Sequence, residues 1–87
     1  MSDARRDAGG RRLGAPCPAT VSSDPYGVPL AVGRARVEAV REEWVVEDRW
    51  WTERPLRRRY FELVLRDGRN TVVYRDLEYG RWFSQRA

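Results

Sequence analysis

Apolar and polar side chains alternate most regularly in the stretch RRYFELVLRDGRNTVVYRD, residues 58–76. Phe61, Leu63 and Leu65 alternate with Tyr60, Glu62 and Arg66, the period of two that a half-buried strand requires. Asp67 and Gly68 follow, a pair that predicts a two-residue hairpin turn because glycine takes a positive φ without steric cost. Thr71, Val72, Val73 and Tyr74 read as the returning strand, and a turn around Glu78, Tyr79 and Gly80 leads to a short strand through Trp82 and Phe83. These three strands form an antiparallel meander. Upstream, ARVEAVREEWVVEDRWW carries two periods at once. Val37, Val40, Arg41 and Trp44 have helical spacing, whereas Val37 with Ala39 and Trp44 with Val46 suit strands. The β-branched and aromatic content favours β structure: one or two strands, bent near residues 41–43 and ended by Pro55, which lacks an amide donor. The expected fold is all-β: a small antiparallel sheet of four to five strands, a meander or a partly open barrel.

Residues 1–33 differ in kind. They hold five of the seven glycines, four of the five prolines and one aromatic, Tyr26. Such a segment buries too little apolar area to offset a backbone entropy cost of about 1–2 kcal/mol per residue. The expected organisation is therefore a disordered Gly/Pro/Arg-rich tail over residues 1–33, from which residues 26–32 can dock, and one β domain over residues 34–87. Nine of the ten aromatics lie in that second segment. A core of some fifty residues is small, and large aromatics make it feasible by burying roughly 150–250 Å² each. Trp82, Phe61 and one of Trp50 or Trp51 are accordingly assigned to the core.

The net charge is +4, from 17 basic and 13 acidic residues, and every basic residue is arginine. Lysine and isoleucine are absent and asparagine occurs once. All three are encoded by AT-rich codons, so a GC-rich genome accounts for much of the arginine bias, and the bias by itself says little about phosphate recognition. Histidine is absent and Cys17 is the single cysteine. That removes the commonest general base, the commonest zinc ligand and any internal disulfide. No nucleophile sits beside a base, and no phosphate-cradling glycine loop or metal-ligand spacing occurs. The chain is expected to be no enzyme and to need no cofactor or metal. No apolar run reaches the length of a membrane span and no secretory signal is apparent, so a cytoplasmic location without membrane attachment is expected.

The order of features carries a resemblance. Asp48, Arg49, Trp50 and Trp51 come first; then Arg57, Arg58 and Arg59; then Asp67, Gly68 and Arg69; then Gly80, Arg81, Trp82 and Phe83. Over residues 36–86 this order resembles the small C-terminal domain of ImuB-type proteins, the Y-family polymerase-like subunits of bacterial damage-induced mutagenesis. It also resembles small stand-alone actinobacterial proteins that carry such a domain alone. The chain has no room for a polymerase palm, fingers or thumb. The resemblance thus implies an accessory module of translesion DNA synthesis, with mutagenesis polymerase subunits as partners, and no catalysis.

Two binding modes fit the remaining residues. Aromatics interleaved with arginine are what protein interfaces use as hot spots, and this reading is preferred. The alternative is single-stranded nucleic-acid binding, with Trp51, Tyr60 and Tyr74 as a stacking platform and Arg57, Arg58, Arg59 and Arg66 on phosphates. The acidic residues Glu42, Glu43, Glu47 and Asp48 oppose it. Adjacent Trp50 and Trp51 point to opposite faces of an extended chain. Trp50, which shares parity with Trp44 and Val46, is expected inward as a lid over Phe61, Leu63 and Leu65, and Trp51 outward, toward a partner.

Overall fold

A computed structural model describes residues 14–48, 53 and 56–86. Among these, seven strands form one antiparallel sheet: β1 (Cys17–Pro18), β2 (Val21–Ser23), β3 (Pro29–Val32), β4 (Ala35–Asp48), β5 (Leu56–Leu65), β6 (Asn70–Asp76) and β7 (Arg81–Gln85). Their spatial order is β1-β7-β6-β5-β4-β3-β2, and the sheet curls into a half-barrel. The all-β class and the β5–β6–β7 meander are as expected. The strand count is higher, because the chain before residue 34 contributes three strands.

That is the main correction to the expected tail over residues 1–33: Cys17–Pro18, Val21–Ser23 and Pro29–Val32 are strands of the sheet. Pro25, Gly27 and Gly33 there are turn residues, while Pro18 and Pro29 stand in strands β1 and β3. Asp24 N–H donates to the Val28 carbonyl and Gly27 N–H to the Asp24 carbonyl, both at 2.9 Å. Pro25 sits at the second position of this turn and Gly27 closes it at φ +85°, which is the chemistry of a type I turn ending in a left-handed residue. The Asp24 carboxylate also accepts from the amides of Tyr26 and Val28. Gly33, at φ +58°, stands in the two-residue connection between Val32 and Ala35, which are register partners.

The β5–β6 turn has the same geometry as the β2–β3 turn. Leu65 N–H donates to the Arg69 carbonyl at 2.8 Å, and Gly68 N–H to the Leu65 carbonyl at 2.9 Å. Three residues, Arg66, Asp67 and Gly68, therefore make the connection where two were expected, and Gly68 takes the left-handed position at φ +92°. Asp67 accepts from the backbone N–H of Arg69 and from its guanidinium. The amide bond is the larger cause holding the Asp67 carboxyl below its usual range.

Strand β4 explains the mixed period of its sequence. Its register with β5 slips between Val37 and Ala39 and again between Val40 and Glu42, so Glu38 and Arg41 are extra residues in two bulges. Each bulge flips the parity, so Val37 and Val40 share a face at a spacing of three, which imitates a helix. Bulges also increase local bend, here at the point where β4 leaves β3 and enters the main sheet.

Alternation along β5 divides the apolar residues between two faces. On the first, Phe61, Leu63, Leu65 and Val73 are buried beneath Val21, Val28, Val32, Ala35, Val37 and Trp82. The valines from β2, β3 and their turn cover the face that was expected to need an indole lid; Trp50 and Trp51 lie outside the described residues. On the second face, Tyr60, Val72 and Tyr74 pack with Trp44, Val46 and Phe83.

Candidate functional site

The second face carries a row of aromatics, one from each of four adjacent strands. Trp44 pairs in register with Tyr60, Tyr60 with Tyr74, and Tyr74 with Phe83. Successive ring centres lie 5.1, 4.9 and 5.1 Å apart, within the range of favourable aromatic pairs, worth about 0.5–1.5 kcal/mol each beyond area burial. Arg58 caps the row: its guanidinium carbon lies 4.5 Å from the Tyr74 ring centre, and Nη1 donates to the Tyr60 hydroxyl at 3.2 Å. Tyr60 is 7% and Tyr74 2% exposed. Burial pushes the Tyr74 phenol above its usual range, and the nearby Arg58 charge opposes that shift.

The sequence-predicted site residues thus separate into groups. Arg58, Tyr60 and Tyr74 come together, but with both tyrosine rings buried in the sheet. Arg57 and Arg59 alternate to the other face and are held by ion pairs. Arg57 Nε lies 3.5 Å from Glu47, its direct register partner. Arg59 Nε donates to Glu43 at 2.6 Å, and Arg59 Nη1 donates to the Tyr26 carbonyl at 2.8 Å. The Arg59 guanidinium also lies over Phe61, 4.9 Å from the ring centre. Arg59 thereby pins the β2–β3 turn to the sheet, and Gly27 makes room for it: a Cβ there would meet Arg59 Nη1 at 2.8 Å. Arg66 stands apart, exposed in the β5–β6 turn, where its backbone N–H donates to the Arg36 carbonyl. Trp51 lies outside the described residues.

The feature that sequence reasoning missed is main-chain. Strand β3 pairs with β4 only at Arg36 and Ala35. Among the described residues no strand lies beside residues 37–48 of β4 on the side away from β5. Over residues 42–48 the pairing with β5 runs in step without a bulge. Val45 in this run is 55% exposed. Its signal in the sequence is a valine between carboxylates in EEWVVED, the arrangement that guards an exposed apolar strand. Elsewhere, Pro18, Ala19, Arg81, Trp82 and Phe83 line an open cleft where β1 meets β7. Among the described residues no three His, Cys, Asp or Glu side chains are grouped to hold a metal ion, and no helix is long and apolar enough to cross a membrane.

The chain matches no protein-family model, no curated protein and no solved structure. The class that the fold defines is a small curled antiparallel sheet in which, among the described residues, no strand lies beside residues 43–47 of β4 on the side away from β5.

Proposed function

We propose that the chain is a non-catalytic protein-interaction module, and that it serves damage-induced translesion DNA synthesis in the cytoplasm. The observation that carries the first part is that, among the described residues, no strand lies beside residues 43–47 of β4 on the side away from β5, where Val45 is exposed. An unpaired strand edge offers a ladder of amides and carbonyls, and proteins use such edges to take up an extended segment of a partner. The second part rests on the resemblance to the ImuB-type C-terminal domain, whose setting is a multiprotein assembly.

The burial of Tyr60 and Tyr74 weighs against the nucleic-acid reading. Each base-stacking face is already used by a neighbouring ring, and Arg57 and Arg59 are paired with carboxylates. A base would have to displace these partners.

The test is capture of the tagged protein from cells of the source organism after DNA damage, together with titration of a fluorescent single-stranded oligonucleotide at low and moderate salt. The expected result is recovery of translesion polymerase subunits and no saturable oligonucleotide binding. Tight oligonucleotide binding that weakens steeply with salt, through counterion release, would replace this reading with the nucleic-acid one.

A further inference from the structure

We infer that Arg75, beside Trp82 on the first face, is the docking point for an acidic segment of a partner protein, which sets a carboxylate on Arg75 and an apolar side chain in the cleft beyond Trp82. The inference rests on the reading of the chain as an interaction module and specifies the chemistry of its partner.

Arg75 is the anomaly among the arginines of the sheet. It stands directly opposite Arg59 of β5 and, on its other side, opposite Trp82 of β7. Like charges directly opposite destabilise a sheet. Arg59 is compensated, by Glu43 and by the Tyr26 carbonyl, and Arg57 on the same face is held by Glu47 and Glu78. Arg75 is half-buried, and its Nε is buried with no hydrogen-bond partner. No ion pair joins it to a described carboxylate. Arg58 Nε also lacks a partner, but on the other face, where its guanidinium donates to Tyr60 and lies over Tyr74.

A partly buried charge costs stability unless an opposite charge meets it. An incoming carboxylate supplies that charge, and it suits the planar fork of a guanidinium. The guanidinium is within reach of solvent: its Nη2 lies 3.5 Å from where a Cβ on Gly80 would stand, and Gly80 is exposed in the β6–β7 turn.

Trp82 extends the site toward β1. With Pro18, Ala19, Arg81 and Phe83 it lines a cleft of about 310 Å³, at the small end of the range for ligand sites and large enough for an apolar side chain. Arg81, which is exposed, brings a second guanidinium that no described carboxylate pairs with. The nearby acids are already engaged. Asp76 accepts from the amides of Glu78 and Tyr79, and Glu78 faces Arg57. Two uncompensated cations beside an apolar cleft fit a short acidic and apolar peptide. A nucleic-acid strand needs a continuous basic track, and here it would run against Glu43, Glu47 and Glu78.

The experiment uses the full chain, labelled with nitrogen-15, and two capped synthetic peptides. In one, glutamates flank a leucine; in the other, glutamines replace the glutamates. The acidic peptide is expected to bind saturably, with shifts concentrated at Arg75, Gly80 and the Trp82 indole. The glutamine peptide is expected to bind at least about tenfold more weakly. Arg75→Met keeps the apolar stem and removes the charge. It is expected to weaken binding of the acidic peptide about tenfold or more, while the melting temperature of the free protein holds or rises, because an uncompensated charge is gone. Equal binding of the two peptides, or unchanged affinity in Arg75→Met, overturns the proposal. So does a clear fall in the melting temperature of Arg75→Met, which makes Arg75 structural, and so does an oligonucleotide that displaces the peptide from Trp82. If the peptide leaves Trp82 unshifted while polymerase subunits are still captured from damaged cells, the Arg75 assignment fails and the interaction module stands. Failure of both the peptide and the capture removes both.

Discussion

A chain that begins at Gly27 is expected to lose its cooperative thermal transition, whereas a chain that begins at Gly14 keeps it. The first thirteen residues are missing from both, so the comparison isolates residues 14–26. Those residues supply β1, β2, Asp24 and Val21. Val21 packs on the buried cluster of Phe61, Leu63, Leu65 and Val73. Asp24 is the acceptor that closes the β2–β3 turn, and the Tyr26 carbonyl is what Arg59 grips. Without them β3 has no hairpin partner, and part of the cover over the first face is gone. Burial of a valine or leucine side chain is worth about 1.5–3 kcal/mol when complete. A domain of this size has only roughly 5–15 kcal/mol in total, at the lower end for so short a chain. Differential scanning calorimetry of the two chains checks this; a sharp transition in the shorter one would mean that residues 14–26 are ornamental to the fold.

The second large effect is expected from Phe61→Ala, at about 3–5 kcal/mol of lost stability. Phe61 is fully buried. It sits opposite Val73 on β6 and Glu43 on β4, and its ring lies 6.0 Å from that of Trp82 and beneath the Arg59 guanidinium. The substitution leaves a cavity at the junction of three strands and removes the surface on which Arg59 lies. Urea unfolding of the variant should show the loss in its midpoint. Val45→Ala, at an exposed position of β4, is the internal contrast, with a change within about 0.5 kcal/mol. Equal losses at the two positions would contradict the assignment of core and surface.

These two positions also show where sequence pattern suffices. Phe61, Leu63 and Leu65 alternate in a strand bounded by a glycine turn, and the structure pairs them as the alternation demands. Gly68 was readable as a positive-φ residue; the extra turn residue was not, because Arg66 is polar and fits either connection. The early strands escaped notice for a physical reason. They are two to four residues long, too short for a period to register, and the strands and their connections together hold glycine and proline at the density of a disordered tail. The signal was local: Asp24-Pro25-Tyr26-Gly27 is turn chemistry, and Val21, Val28 and Val32 are the apolar groups it brings over the sheet. In β4 the bulges at Glu38 and Arg41 break the period of two, and no single-strand pattern predicts a bulge.

The candidate site was legible in part. Parity along Arg57, Arg58, Arg59 and Tyr60 already separates Arg58 and Tyr60 from Arg57 and Arg59, and grouping all four on one surface ignored it. That Tyr60 and Tyr74 are register partners follows from the hairpin. Their burial does not, because it depends on Trp44 and Phe83 arriving from strands on either side. The side of β4 away from β5 is less legible still: whether a strand has one neighbour or two is a property of the whole sheet, and Val45 alone hints at it.

The central claim, that among the described residues no strand lies beside residues 43–47 of β4 on the side away from β5, is tested most directly by amide hydrogen exchange in the free protein. In an antiparallel pair alternate amides of a strand point toward the partner and the others away from it. The account predicts an alternating pattern in this run, with the amides that face β5 exchanging slowly and their neighbours exchanging fast. Slow exchange at every amide from residue 43 to residue 47 would mean that this side is already covered, and would contradict it.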